Sequence, residues 1–140
     1  MKLLTMVVCC CLPLKNLSLT SPFGYRVHPL THQYAFHNGI DLRARHDTVF
    51  AVFDGTASLG YDEYLGLNIQ ITNGDLIIIY GHLSALLINT GPVTCGQPIA
   101  ITGATGRVTG EHLHLTIRYK RQAIDPLKFL YELTLKPHTP

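Results

Sequence analysis

Charge is scarce in this chain: Asp, Glu, Lys and Arg make up 14% of its 140 residues, against about 25% in an average soluble protein. The net charge is +2, too small to provide a basic field for a polyanion, so nucleic acid is excluded as a partner. The one local basic cluster, Arg118, Lys120 and Arg121, reads first as a solvated strand end, with a contact to an anionic substrate as the second reading. A long apolar run is also missing. Residues 3–14 follow Met1-Lys2 as a short apolar stretch broken by Pro13, well below bilayer length, so no transmembrane span is expected. For residues 1–19 two readings stay open: a degenerate export signal without a small-x-small cleavage site, or an apolar leader that packs against the domain. The four cysteines form no framework of spaced pairs and no CxxC, because Cys9, Cys10 and Cys11 are consecutive and Cys95 stands alone as a small residue in a strand or turn. Internal repeats and low-complexity tracts are absent.

The length suits one domain with its own core, residues 20–140. Turn signals divide it into short strands. Residues 48–53 are β-branched and aromatic, and Asp54-Gly55 turns them into residues 56–59. Residues 67–72 alternate apolar and polar, and Asn73-Gly74 closes a hairpin onto residues 75–80. Leu76-Ile77-Ile78-Ile79 is apolar on both faces and is expected at the centre of the sheet. Residues 98–101 and 112–119 are further strands, with residues 103–110 as a Gly-rich loop between them. That loop lacks the Lys-Ser/Thr ending of a phosphate cradle, and no helix follows it. Only residues 125–131 look helical, with Asp125 as cap and Pro126 at the first position. The expected fold is all-β: an antiparallel sheet or sandwich with a groove over one face and one short C-terminal helix. The loop 103–110 would wall the groove, a natural seat for an extended peptide.

Against this plain background stand five polar residues at ligand spacing. His112 and His114 alternate on a strand, so both rings leave one face while Leu113 points inward. His37 and Asp41 flank the turn-forming dipeptide Asn38-Gly39 and bracket a tight loop. His82 follows Gly81. One carboxylate and four imidazoles suit a divalent transition metal, with three protein ligands, an open position for water, and two residues left to move protons. Spacing alone does not say which of His112 and His114 is the ligand. The remaining histidines, His28, His32, His46 and His138, have no partner at ligand spacing and read as ordinary surface or hydrogen-bonded residues.

Together with their flanks these residues resemble the lysostaphin/LytM-type zinc endopeptidases. The segments are Ser21-Pro22-Phe23-Gly24-Tyr25-Arg26-Val27-His28-Pro29, His37-Asn38-Gly39-Ile40-Asp41-Leu42, Tyr80-Gly81-His82-Leu83-Ser84, residues 103–114, and Asp125-Pro126-Leu127. They follow the family's order from Thr20 to Tyr131 without a large insertion. The resemblance implies that His37, Asp41 and His114 bind Zn2+ and that His82 and His112 are the catalytic pair. It also implies a bacterial peptidoglycan peptide as substrate, with the metal polarising the scissile carbonyl and activating water. One spare histidine would take the water's proton, and the other would stabilise the oxyanion or protonate the leaving amine. A place in the cell envelope, periplasmic or extracellular, and a monomeric state follow from the same resemblance. No inhibitory pro-segment or wall-binding repeat is seen ahead of Thr20, so the chain reads as a minimal catalytic domain or as a fragment.

One departure is Thr116, where many members carry a glutamate, which leaves the usual support of the ligand there in question. Arg26 reads equally as a buried structural arginine or a substrate contact, and Tyr80 as a packing residue or a hydroxyl near the site. Two other functions are weighed: a metal-free scaffold or amidase activator, which would have lost ligands that this chain keeps, and a sugar-transport phosphocarrier, which needs neither Asp41 nor a His-x-His pair.

Overall fold

The computed structural model describes residues 10–132. Twelve strands and one helix follow in chain order: β1 (Leu19–Ser21), β2 (Gly24–Val27), β3 (Tyr34–His37), β4 (Ile40–Arg43), β5 (Thr48–Phe50), β6 (Gly55–Asp62), β7 (Gly66–Asn73), β8 (Leu76–Leu86), β9 (Gly91–Val93), β10 (Pro98–Thr102), β11 (His112–Tyr119), β12 (Gln122–Ile124) and α1 (Pro126–Leu130). Ten strands form one sheet, seven along the path β1-β4-β11-β8-β7-β6-β9 and three off it, where β10 pairs β5 and β8 and β12 pairs β11; β2-β3 is a separate hairpin. Every pairing is antiparallel.

The expected hairpin at Asn73-Gly74 joins β7 to β8, with Gly74 at φ 58°. That left-handed conformation is what the glycine of a two-residue turn supplies. The run Leu76 to Ile79 is central, since β8 pairs β7 on one side and β11 on the other. One strand expectation is corrected. Residues 48–53 do not run on as a strand into residues 56–59: β5 stops at Phe50 and pairs with β10, while β6 pairs with β7 and β9. Val52 and Phe53 are wholly buried in a bend, so their apolar character serves the core rather than a ladder.

Leu113, Leu115 and Ile117 of β11 are fully buried beside Ile40 and Leu42 of β4 and Ile78 of β8. Each such side chain contributes about 1.5–3 kcal/mol of burial, which holds the alternate residues of β11 on the opposite face. Tyr80 is fully buried too, and Val52 N–H donates to its hydroxyl at 2.9 Å, so Tyr80 packs and does not reach the polar face. Burial pushes its ionisation well above the usual phenol range. Cys95 sits in the turn between β9 and β10. At the C-terminal end, Asp125 caps α1 by accepting from Leu127 N–H at 3.0 Å, with Pro126 at the first position.

Residues 10–19 lie along the domain: Cys11 N–H donates to Val52 O at 2.7 Å, Phe50 N–H to Pro13 O at 2.9 Å, and Leu14 belongs to the core. Residues 1–9 of the apolar leader and His138 lie outside the described residues. No helix among the described residues is long and apolar enough to cross a membrane.

Candidate active site

Alternation along β11 sends His112, His114, Thr116 and Arg118 to the face opposite the core. Across the ladder His114 stands opposite Asp41 of β4 on one side and Gly81 of β8 on the other. Residues directly opposite share a face, so the pairing register itself places Asp41 beside His114. His37 ends β3, and Asn38-Gly39 carries the chain into β4. This turn presses on β11: a β-carbon at Gly39 would lie 2.3 Å from Leu115 O and 2.9 Å from Thr116 Oγ1. Only glycine permits that approach, and through it His37 reaches His114.

His82 arrives by a different device. Leu67 pairs with Leu83 and Ile69 with Tyr80, so β8 carries one residue more than β7 over this stretch, a β-bulge. The extra residue is His82, left-handed at φ 62°, and its N–H donates to Leu65 O at 2.6 Å. The bulge keeps Tyr80 and Leu83 in the core while His82 turns to the groove. A left-handed histidine costs about 1–3 kcal/mol of backbone strain, which the surrounding ladder must offset.

The geometry gathers all five residues. Asp41 Oδ1 lies 3.0 Å from His114 Nδ1 and 3.4 Å from His37 Nε2, and those two nitrogens are 3.4 Å apart. Donors about 2.0–2.1 Å from a tetrahedral zinc are separated by about 3.3 Å. The triangle therefore fits three ligands of one such ion, and His37, Asp41 and His114 form a group able to hold a metal. The outer nitrogens are tied back. His37 Nδ1–H donates to Pro22 O at 2.9 Å, and His114 Nε2 faces Thr116 Oγ1 at 2.9 Å. These contacts direct His37 Nε2 and His114 Nδ1 inward as lone-pair donors. Thr116 thus makes, through its hydroxyl, the supporting contact that the missing glutamate left in question.

Two imidazoles flank the triangle. His82 Nδ1–H donates to Thr105 O at 2.8 Å and His112 Nδ1–H to Gly110 O at 3.0 Å. Their ring centroids are 4.8 Å apart, and His112 Nε2 is 3.4 Å from Asp41 Oδ1. Burial pushes the His82 imidazole down to about 4, against the opposing hydrogen bond to Thr105, so it is neutral at pH 7. For Asp41 burial works upward, but the surrounding imidazoles of His114, His37 and His112 outweigh it and hold the carboxyl of the metal-free protein well below the usual range.

Over this face runs a groove of about 860 Å3, bounded by the β2-β3 hairpin and by Arg107, Val108 and Thr109 of the expected loop wall. The loop is pinned through Thr105, whose hydroxyl donates to Leu83 O at 2.6 Å and accepts from Leu67 N–H at 3.0 Å. The other described histidines stay apart from the cluster. His28 Nδ1 accepts from Leu30 and Thr31 N–H, His32 N–H donates to His28 O, and His46 lies 3.3 Å from Glu111. What sequence reasoning missed is the ring of acceptors at Pro22, Thr105 and Gly110. Backbone carbonyls have no residue-type signature, and only the neighbouring Pro and Gly hinted at turns there.

An antiparallel sheet bearing two imidazoles and a carboxylate at tetrahedral spacing, with two more imidazoles beside them, defines a metallohydrolase type of domain. The chain belongs to peptidase family M23, whose family model matches residues 35–126, a span that includes all five residues. It is 39% identical over 121 residues to the DD-carboxypeptidase/endopeptidase Mpg of Neisseria meningitidis, covering 82% of this chain and 27% of that protein. Thus it spans about a quarter of that relative's length. Its fold superimposes on a zinc containing peptidase from Vibrio cholerae with a TM-score of 0.72 at 31% identity, over 92% of this chain and 40% of the other. The catalytic domain of the antimicrobial peptidase lysostaphin from Staphylococcus simulans gives 0.73 at 27% identity, over 82% of this chain and 92% of that domain. The lysostaphin-type resemblance is thereby borne out, and the phosphocarrier reading falls.

Proposed function

We propose that this chain is a zinc-dependent endopeptidase domain, comprising residues 20–140, that hydrolyses peptide bonds in the stem peptides or cross-links of bacterial peptidoglycan. It acts as a monomer in the cell envelope. His37, Asp41 and His114 hold the ion, and His82 and His112 handle protons. The observation that carries this reading is the 3.0–3.4 Å triangle of donors whose outer ring nitrogens are already occupied. When bound there, Zn2+ supplies Lewis acidity that polarises a scissile carbonyl and makes water a usable nucleophile at neutral pH. His82, neutral and with Nδ1–H tied to Thr105, offers Nε2 as acceptor for the proton of the attacking water. His112 Nε2 lies 3.4 Å from Asp41 Oδ1 and its ring 4.8 Å from that of His82, at the edge of the donor triangle. There it serves as donor to the oxyanion or the leaving amine.

The name of a further relative, the peptidoglycan DD-endopeptidase ShyA of Vibrio cholerae, 36% identical over 74% of this chain and 25% of that protein, supports a wall peptide as substrate, and the groove along β11 accommodates an extended one. The test is incubation of purified sacculi with the zinc-loaded protein and mass spectrometry of what is released. Soluble fragments carrying newly exposed amino termini are expected, abolished by a chelator and restored by Zn2+. Sacculi left intact, or fragments cut only in the glycan, would overturn the reading.

Thr116 allows a finer check. Thr116→Val keeps the shape of a buried side chain but leaves His114 Nε2–H without an acceptor. Zinc affinity in a competition titration is expected to fall about 10- to 100-fold, and the unfolding midpoint of the metal-free protein should fall as well, because the buried N–H loses its acceptor.

A further inference from the structure

Beyond the metal triangle the groove has a pronounced charge asymmetry. Among the described residues three arginines line it, Arg26, Arg107 and Arg118, and the only acidic lining residue is Asp41, already within 3.4 Å of three imidazoles. Among the described residues no ion pair joins any of the three guanidiniums to a carboxylate. Arg107 is exposed, so water screens it. Arg26 and Arg118 are half-buried, and the Nε of Arg26 is buried without a hydrogen-bond partner.

Their positions follow from strand register. Arg26 pairs with Ala35, as Gly24 pairs with His37, so Arg26 lies on the inward face of the β2-β3 hairpin with His37. The other face, with Tyr25, Val27, Tyr34 and Phe36, is exposed. Arg118 shares the outward face of β11 with His112, His114 and Thr116 and sits four residues past His114, about 13 Å along the strand. One guanidinium therefore comes from the hairpin wall and the other from the floor of the same groove. A guanidinium stays charged when buried, and a buried N–H without an acceptor is costly, so the unsatisfied Arg26 Nε is best explained by a ligand that supplies the acceptor, with Arg118 on the floor of the same groove as a second donor.

We propose that Arg26 and Arg118 bind a free carboxylate of the peptide substrate and make the groove selective for acidic over amidated peptides. This rests on the peptidase reading above and adds the chemical feature recognised. A stem peptide offers such a group at its C-terminus or on a side chain.

The test uses the zinc-loaded protein and three synthetic cross-linked stem peptides: fully acidic, amidated at the C-terminus, and amidated on the side-chain carboxylates. Wild type is expected to prefer the acidic peptide about 10- to 100-fold in kcat/KM over one of the amides, as charge-assisted hydrogen bonds allow. The amide that loses the preference identifies which carboxylate is read. Arg118→Gln should bring the ratio to about one by raising KM for the acidic peptide alone, with kcat and the hydrolysis of that amide unchanged. Arg26→Gln should do the same, and Arg118→Gln keeps the test decisive if Arg26→Gln folds poorly. Equal wild-type rates on all three peptides would overturn the inference and leave the peptidase reading standing. If no peptide is cut, the peptidase reading fails instead. Calorimetric binding of the same peptides then decides the arginine site, with tighter acidic binding lost in Arg118→Gln expected and equal binding overturning it.

Discussion

Replacing His114 by alanine is expected to remove both the metal and the activity. In the proposed ligand set three donors about 3 Å apart would hold the ion, and two of them alone would leave a weak site open to solvent. Metal analysis of the purified variant should fall from about one zinc per chain to under a tenth, and release of peptide fragments from sacculi should drop by about three orders of magnitude or more. The strand itself should survive, because Leu113 and Leu115 on the opposite face carry its packing, and circular dichroism would verify this. Asp41→Asn provides an independent route to the same result. It keeps the side chain's size while removing the charge on which the surrounding imidazoles converge. A His114→Ala protein that still binds stoichiometric zinc and digests sacculi normally would reject the ligand set.

Much of this arrangement was legible in the sequence because strand alternation is a strong rule. His-x-His on an apolar strand puts two rings on one face whatever the tertiary context, and Asn38-Gly39 marked the turn that brings His37 over β11. The Asp125-Pro126 helix start was similarly local. Other features depended on pairings between distant segments. Residues 48–53 looked like one strand because burial in a bend and burial in a ladder select the same residue types. The position of His82 was also beyond alternation: counted in steps of two from Tyr80, it would face the core, and only the bulge beside Gly81 turns it outward. Spacing alone left His112 and His114 equivalent. Their different neighbours, Thr116 and the donor triangle for His114, Gly110 and the edge of Asp41 for His112, exist only once β4 pairs with β11.

His82→Asn is expected to separate proton handling from metal binding. Asparagine tolerates the left-handed backbone at φ 62° better than alanine does, so the bulge should persist. Zinc content should remain near one per chain, while turnover falls about 10²- to 10⁴-fold, the usual contribution of a positioned proton acceptor. Stability gives a second readout. His82 is held neutral when folded, down to about 4, whereas the unfolded chain takes up its proton near 6.5. Between these values the unfolded state binds more protons, so the metal-free wild type should lose stability as pH falls from 6.5 towards 4. Asp41, whose folded carboxyl also titrates below its ordinary value, adds loss at lower pH still. In His82→Asn the slope of denaturant midpoint against pH should flatten in the upper window and persist in the lower one. A variant that lost its zinc would place His82 among the ligands, and one that kept full turnover would remove it from the reaction altogether.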